Sequence, residues 1–237
     1  GAWEQYHYAG KTNAVTGRFF EPRPTEEFYD NFKDFDNIDN QIDNPSHHAK
    51  IRELKNELRR QQLKYFDSGM IPEEMRADIT KKMNTTVHAF GRNPKLYPLA
   101  KYLDYADLAL AKNRDNLETL TRGLINSDPV LRYWSVIGLL LLEEKASSAI
   151  AELKKVLNDD NEIPPFAAWA IYKAGDESFA RDWMLHTIIK NPKNRVLANI
   201  LDWMGADSYP VLSMIPEEKL PERGLLRDIV KRYKTRL

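Results

Sequence analysis

Asp128-Pro129-Val130-Leu131-Arg132-Tyr133-Trp134-Ser135 has two altered copies downstream. They are Asn161-Glu162-Ile163-Pro164-Pro165-Phe166-Ala167-Ala168 and Asn191-Pro192-Lys193-Asn194-Arg195-Val196-Leu197-Ala198. Each copy opens on an Asx residue, whose short side chain can accept a hydrogen bond from the free N–H groups of a helix start. Each places a small residue seven positions on, where a neighbouring helix must come close. In the second and third copies a glycine follows another seven residues later, Gly175 and Gly205. Glycine there ends a helix in left-handed backbone; the first copy has Leu142 instead. The copies begin at residues 128, 161 and 191, so 33 and 30 residues separate them, the period of a helix pair. Second helices fit the gaps, as at residues 146–157, where Ile150, Leu153 and Leu157 share one face. Residues 97–112 and 116–125 read as one earlier, degenerate pair. A helix pair cannot bury its apolar stripe alone, so several must stack. Residues 221–237, richer in Lys and Arg, are the expected cap.

Working back from the repeats, Asn44-Pro45 reads as a helix start, with Asn as cap and Pro at the first position. Ile51, Leu54, Leu58 and Tyr65 then recur at helical spacing, and Gly69 is the expected stop. Residues 79–95 read as loop. Across residues 1–45, Gly10, Gly17, Pro22, Pro24 and an Asx-rich run punctuate the chain too often for long helices, and residues 25–31 allow one short strand. The expected fold is therefore mainly α: an α-α superhelix of helical repeats over 96–237, preceded by an irregular segment, 1–95, with at most one or two short strands.

Bulk composition narrows the function classes. Lys plus Arg and Asp plus Glu each total 35, so the chain carries no net charge and no electrostatic footprint for nucleic acid. There is no cysteine, which excludes disulfides, thiol nucleophiles and Cys-based zinc sites. The longest apolar run, residues 136–142, is far too short to span a bilayer, so no membrane span is expected. The chain opens on Gly1 and shows no signal peptide, which points to an excised or mature fragment.

Two family resemblances follow from particular residues. The Asp-Pro-x-x-Arg start of the first copy, with a small residue shortly after, resembles the HEAT-like repeat family. The second copy departs from it, with Pro165 at the Arg position. Separately, Phe20-Glu21-Pro22-Arg23-Pro24-Thr25-Glu26-Glu27-Phe28-Tyr29-Asp30 is similar to an aromatic-x-Pro-x-Pro-x-Glu-Glu-Leu-Tyr-Asp segment. That segment lies near the end of the catalytic domain in bacterial sulfatases with a HEAT-repeat tail. The family's continuation is matched at Asp34 and Asn40 but not at Phe35, Asn37 or Gln41. Residues 67–73, 105–112 and 132–134 resemble the run into such tails.

This resemblance implies a periplasmic or extracellular hydrolase of sulfate esters, acting on a sulfated glycan. Such enzymes use a formylglycine, made within a Cys/Ser-x-Pro-Ser/Ala-Arg motif, beside a bound calcium. No such motif occurs here, so the resemblance transfers no catalytic, cofactor-binding or metal-binding residue to this chain. The expected role is a non-catalytic C-terminal region whose missing partner is the upstream catalytic domain. The alternative is a free-standing interaction module built on the repeats.

Local constellations read as follows. Asp34, Asp36, Asp39 and Asp43 fail the calcium-loop pattern, because Ile38, Asp39 and Pro45 fall where a ligand, Gly and Glu belong; an Asx-turn loop is the expectation. His47 and His48 point about 100° apart on a helix and lack a third ligand. His7 and His88 are isolated, and His186 reads as a core imidazole. Trp134, Trp169 and Trp203 fall at comparable points of the repeats and read as core rather than as sugar-stacking platforms. Residues 1–45 carry Trp3, Phe19, Phe20, Phe28, Tyr29, Phe32 and Phe35. These are expected to bury area against the helix of residues 51–65 and the first repeats, or against a second copy of the chain.

Overall fold

The computed structural model describes residues 1–21, 23–159 and 161–236. Among them there are helices and connecting turns but no strand. The chain divides into two compact units, residues 1–65 and 66–237.

The second unit is built from the repeats. The first unit holds α1 (Ala2–Tyr8), α2 (Ala14–Gly17) and α3 (His48–Tyr65). Then come α4 (Glu73–Lys82) and α5 (Val87–Gly91), followed by a pair, α6 (Leu99–Leu110) and α7 (Leu117–Gly123). The second pair is α8 (Pro129–Leu142) with a 3-10 turn, Glu143–Ala149, running into α9 (Ile150–Val156). The third is α10 (Ile163–Lys173) and α11 (Glu177–Lys190), and the fourth is α12 (Arg195–Trp203) and α13 (Tyr209–Ser213). Helix α14 (Leu225–Arg236) ends the unit. First helices touch in succession, α6 on α8, α8 on α10, α10 on α12 and α12 on α14, while α11 packs on both α10 and α13. Sequential neighbours in contact are what a stack of helix pairs requires.

The capping chemistry explains why the copies start helices. Asp128 Oδ1 accepts the Val130 N–H at 2.9 Å; in the second copy the N-cap is Glu162, without a side-chain capping bond, and Asn161 Oδ1 in the turn before it accepts the Ile163 N–H at 2.8 Å. In the third copy the cap is Asn194, which accepts from Leu197 N–H at 2.9 Å, and not Asn191. Asn191 instead turns the chain before it, holding Lys193 N–H. At the far ends, Gly175 (φ 110°) and Gly205 (φ 57°) take the left-handed backbone foreseen for them. In the first copy that conformation falls on Glu143, at φ 52° and ψ −130°.

The small positions are where helices meet. Ser135 and Ala168 are fully buried and Ala198 is 2% exposed. Ser135 Oγ donates to Leu131 O at 2.7 Å and receives the Tyr105 hydroxyl at 3.1 Å, a polar stitch between α6 and α8. Beside it, a Cβ on Gly138 would lie 2.7 Å from a Leu120 methyl and 3.1 Å from the Ala109 backbone, so α8 meets the first pair at contact distance. Arg132 Nε reaches Asp159 at 2.8 Å and its Nη1 donates to Asn126 O at 2.7 Å, tying the start of α8 to the turn before α10.

Two expectations for residues 66–95 need correction. Residues 79–95 are not loop: α4 runs to Lys82, and Thr86 caps α5 through Ala89 N–H at 3.1 Å. Met75 and Phe90 join the buried core, so this stretch belongs with the repeats, and the break between units falls after Tyr65 rather than at 95. Gly69 does not end α3 either. The helix stops at Tyr65, with Phe66 left-handed (φ 57°), and Gly69 N–H is bound to Asp67 Oδ1 in an Asx turn.

The first unit is sparser. The strand expected over residues 25–31 is absent, because the Phe28 N–H that a partner strand would need goes to Asn40 Oδ1 at 2.9 Å. Trp3, His7, Phe19 and Phe20 gather on one another, with Trp3 5.0 Å and 5.1 Å from the two Phe rings and His7 stacked on Phe20 at 4.3 Å. Phe28 is half-buried beside His47 and shares a groove with Ile51, Leu54 and Leu58 of α3. Phe32 and Phe35 stand in solvent, contrary to the burial expected of them. Pro22, part of the family-like segment, and Leu237, in the expected cap, lie outside the described residues.

Candidate functional site

Side by side, α8, α10 and α12 bring a row of aromatic side chains to one face of the second unit. Phe166 and Trp169 are three residues apart on α10, hence on one side of that helix. Tyr133 of α8 meets Phe166 edge-on at 5.5 Å, and Trp203 of α12 lies 6.4 Å from Trp169 at 34°. Ion pairs edge the row: Lys173 with Asp207 at 3.5 Å, and Arg232 with Asp202 at 2.9 Å.

These rings are not uniformly core. Trp134 is half-buried, and its indole N–H donates to Met70 O at 2.9 Å. Trp169 is half-buried too, and its enclosed N–H has no partner among the described residues. Trp203 is 60% exposed, against the core reading its position in the repeat suggested. Trp169 is its one ring neighbour among the described residues. Burial pushes the Tyr133 phenol up to about 12, so it remains a neutral hydrogen-bonding group at any physiological pH.

Below the row, Glu162 stands at the start of α10 with one carboxylate oxygen enclosed and unpartnered. Enclosure raises its pKa from an ordinary 4.5 to about 7, and the charges of Glu74 and Asp78 on α4 push the same way.

The remaining candidates are dispersed. Asp34 spends both carboxylate oxygens on the backbone of its own loop, taking Ile38 N–H at 2.9 Å and Asp39 N–H at 2.7 Å. Those bonds hold its pKa below the usual carboxylate value. Asp39 in turn accepts from Gln41. The acidic loop therefore does not fit calcium, and among the described residues no group of three or more His, Asp or Glu is placed to hold a metal ion. His7 pairs with Thr12 Oγ1 at 2.9 Å, His48 and His88 are exposed, and His186, read as core, is exposed as well. No helix among the described residues is long and apolar enough to cross a membrane.

Chemically, the face can stack aromatic rings and offer hydrogen bonds. Ser135, a buried hydroxyl of α8, gives its proton to the backbone of its own helix. Compared with protein-family models, with curated proteins and with solved structures, the chain finds no match.

Proposed function

We propose that this chain is the non-catalytic C-terminal region of a sulfatase-like protein of the periplasm or cell exterior. In this reading the helix pairs wind as a HEAT-like α-α superhelix that props an upstream catalytic domain. Its aromatic face then lies at the rim of a cleft for a sulfated glycan. Formylglycine and calcium belong to the upstream domain, and the chain alone performs no hydrolysis. The observation that carries the reading is the segment from Phe20 to Asp30, with its Pro-x-Pro-x-Glu-Glu-Phe-Tyr-Asp order. The open indole of Trp203 supports the rim role, since an exposed ring offers an apolar face to a sugar.

A free-standing interaction module is the second reading, and a specific feature favours it. Helix α3 has no buried residue, and Leu54 and Leu58 of its apolar stripe are 47% and 60% exposed. One experiment separates the two. Sequencing the genomic reading frame upstream of Gly1 should reveal a Cys/Ser-x-Pro-Ser/Ala-Arg motif within a few hundred codons. An upstream frame without it sinks the sulfatase reading. Independently, the purified chain should release no chromophore from an aryl sulfate above a buffer blank.

A further inference from the structure

At the end of the second unit lies an open cavity of about 430 Å³ between the starts of α12 and α14. Lys193, Arg195 and Arg223 line it, and no carboxylate does. None of these three cations is in an ion pair among the described residues. Elsewhere in the second unit Arg132, Arg181, Arg227 and Arg232 each hold an acid. Three unneutralised cations around one hollow repel each other, and an anion placed between them relieves all three.

Two further features point the same way. Both helix starts bring backbone N–H groups to the rim, where the helix dipole favours negative charge. Asn194 already commits its side-chain oxygen to Leu197 N–H, so its amide NH2 remains free to donate. Apolar groups from Ala198, Leu225 and Leu226 line the rest of the hollow. A bare inorganic ion would leave that apolar part idle, and the volume fits a group the size of a monosaccharide.

We propose that this cavity binds a sulfate or phosphate monoester of a small, sugar-sized ligand, with Lys193, Arg195 and Arg223 around the oxyanion. The inference stands on the cavity and does not require the sulfatase reading, since a phosphate ester would satisfy it equally.

The test is an amide-resolved NMR titration of the whole 237-residue chain at constant ionic strength. The probes are glucosamine 6-sulfate, glucose 6-phosphate, inorganic sulfate and inorganic phosphate. Saturable shifts of the Val196 and Leu226 amides with at least one ester are expected. Arg195→Ala and Arg223→Ala should each weaken that binding roughly two- to fivefold, the range of exposed ion pairs, while Arg114→Ala leaves it unchanged. A response to one ester alone identifies which chemistry the cavity takes. Inorganic ions binding as tightly as either ester overturn the ester assignment in favour of a free-anion site. No saturable shift, or wild-type affinity in both variants, overturns the proposal outright. All three side chains are solvent-exposed, so the variants should fold, which circular dichroism checks.

Discussion

Glu143, one position past Leu142, takes at the end of α8 the left-handed backbone that Gly175 and Gly205 supply in the other two copies. A side chain at φ 52° and ψ −130° costs about 1–3 kcal/mol of strain, and Glu143 is exposed with nothing to offset it. Glu143→Gly should therefore stabilise the chain by about 1 kcal/mol, after allowing for the greater freedom glycine gives the unfolded chain. Urea denaturation reads this as a raised midpoint at unchanged slope. The opposite sign is expected at Ala168, which is fully buried on α10 where that helix meets its neighbours. Ala168→Leu overfills the contact and should cost about 1–3 kcal/mol, which lowers the same midpoint. Equal midpoints for wild type and Ala168→Leu would mean that the alignment of repeat copies is wrong.

At the scale of elements, the sequence was readable wherever a period spanned several turns. The starts of α8 and α10 follow from Asp128 and Asn161, and the ends of α10 and α12 from Gly175 and Gly205. The short α5 was hidden because one helical turn shows no period; only the Thr86 cap could have betrayed it. Trp203 escaped for a different reason. Its helical spacing reads as core, but Trp134 and Trp169 are themselves only half-buried, and Trp169 is the one ring beside Trp203 among the described residues. Nor does any local pattern reveal that the charges of α4 reach the start of α10, because Glu162 and Glu74 are 88 positions apart.

The enclosure of Glu162 has a pH signature. Folding raises the Glu162 pKa from 4.5 to about 7, so the folded chain holds a proton there that the unfolded chain has released. This contribution to stability is fully present below pH 4.5 and is lost as pH rises through 7. Glu162→Gln, neutral throughout, should gain melting temperature over wild type at pH 8 and show little advantage at pH 5. A constant difference across that range would remove Glu162 as its source.

For the molecule as a whole, burial is lopsided. Among the described residues every buried hydrophobic side chain lies between Ile71 and Tyr233, whereas the first unit buries only Gly17. Fully burying a large aliphatic side chain is worth roughly 1.5–3 kcal/mol, so nearly all the hydrophobic stabilisation resides in residues 66–237. Expressed alone, that stretch should unfold in one cooperative transition and keep its helical circular dichroism. Residues 1–65 alone should melt broadly or stay unfolded. A 66–237 fragment without a sigmoidal urea transition would contradict this division.

The bond from the Trp134 indole to Met70 O bears on how the chain finds its fold. Contacts within a stack of helix pairs are short in sequence, and topologies of that kind assemble quickly. This one joins residues 64 apart, so closing it costs the entropy of a long loop before any enthalpy returns. Docking of α4 and α5 is thus expected to follow the formation of α8. Substitutions in the middle helices are therefore expected to slow folding, and those between Phe66 and Tyr97 chiefly to speed unfolding, which stopped-flow φ-values read directly.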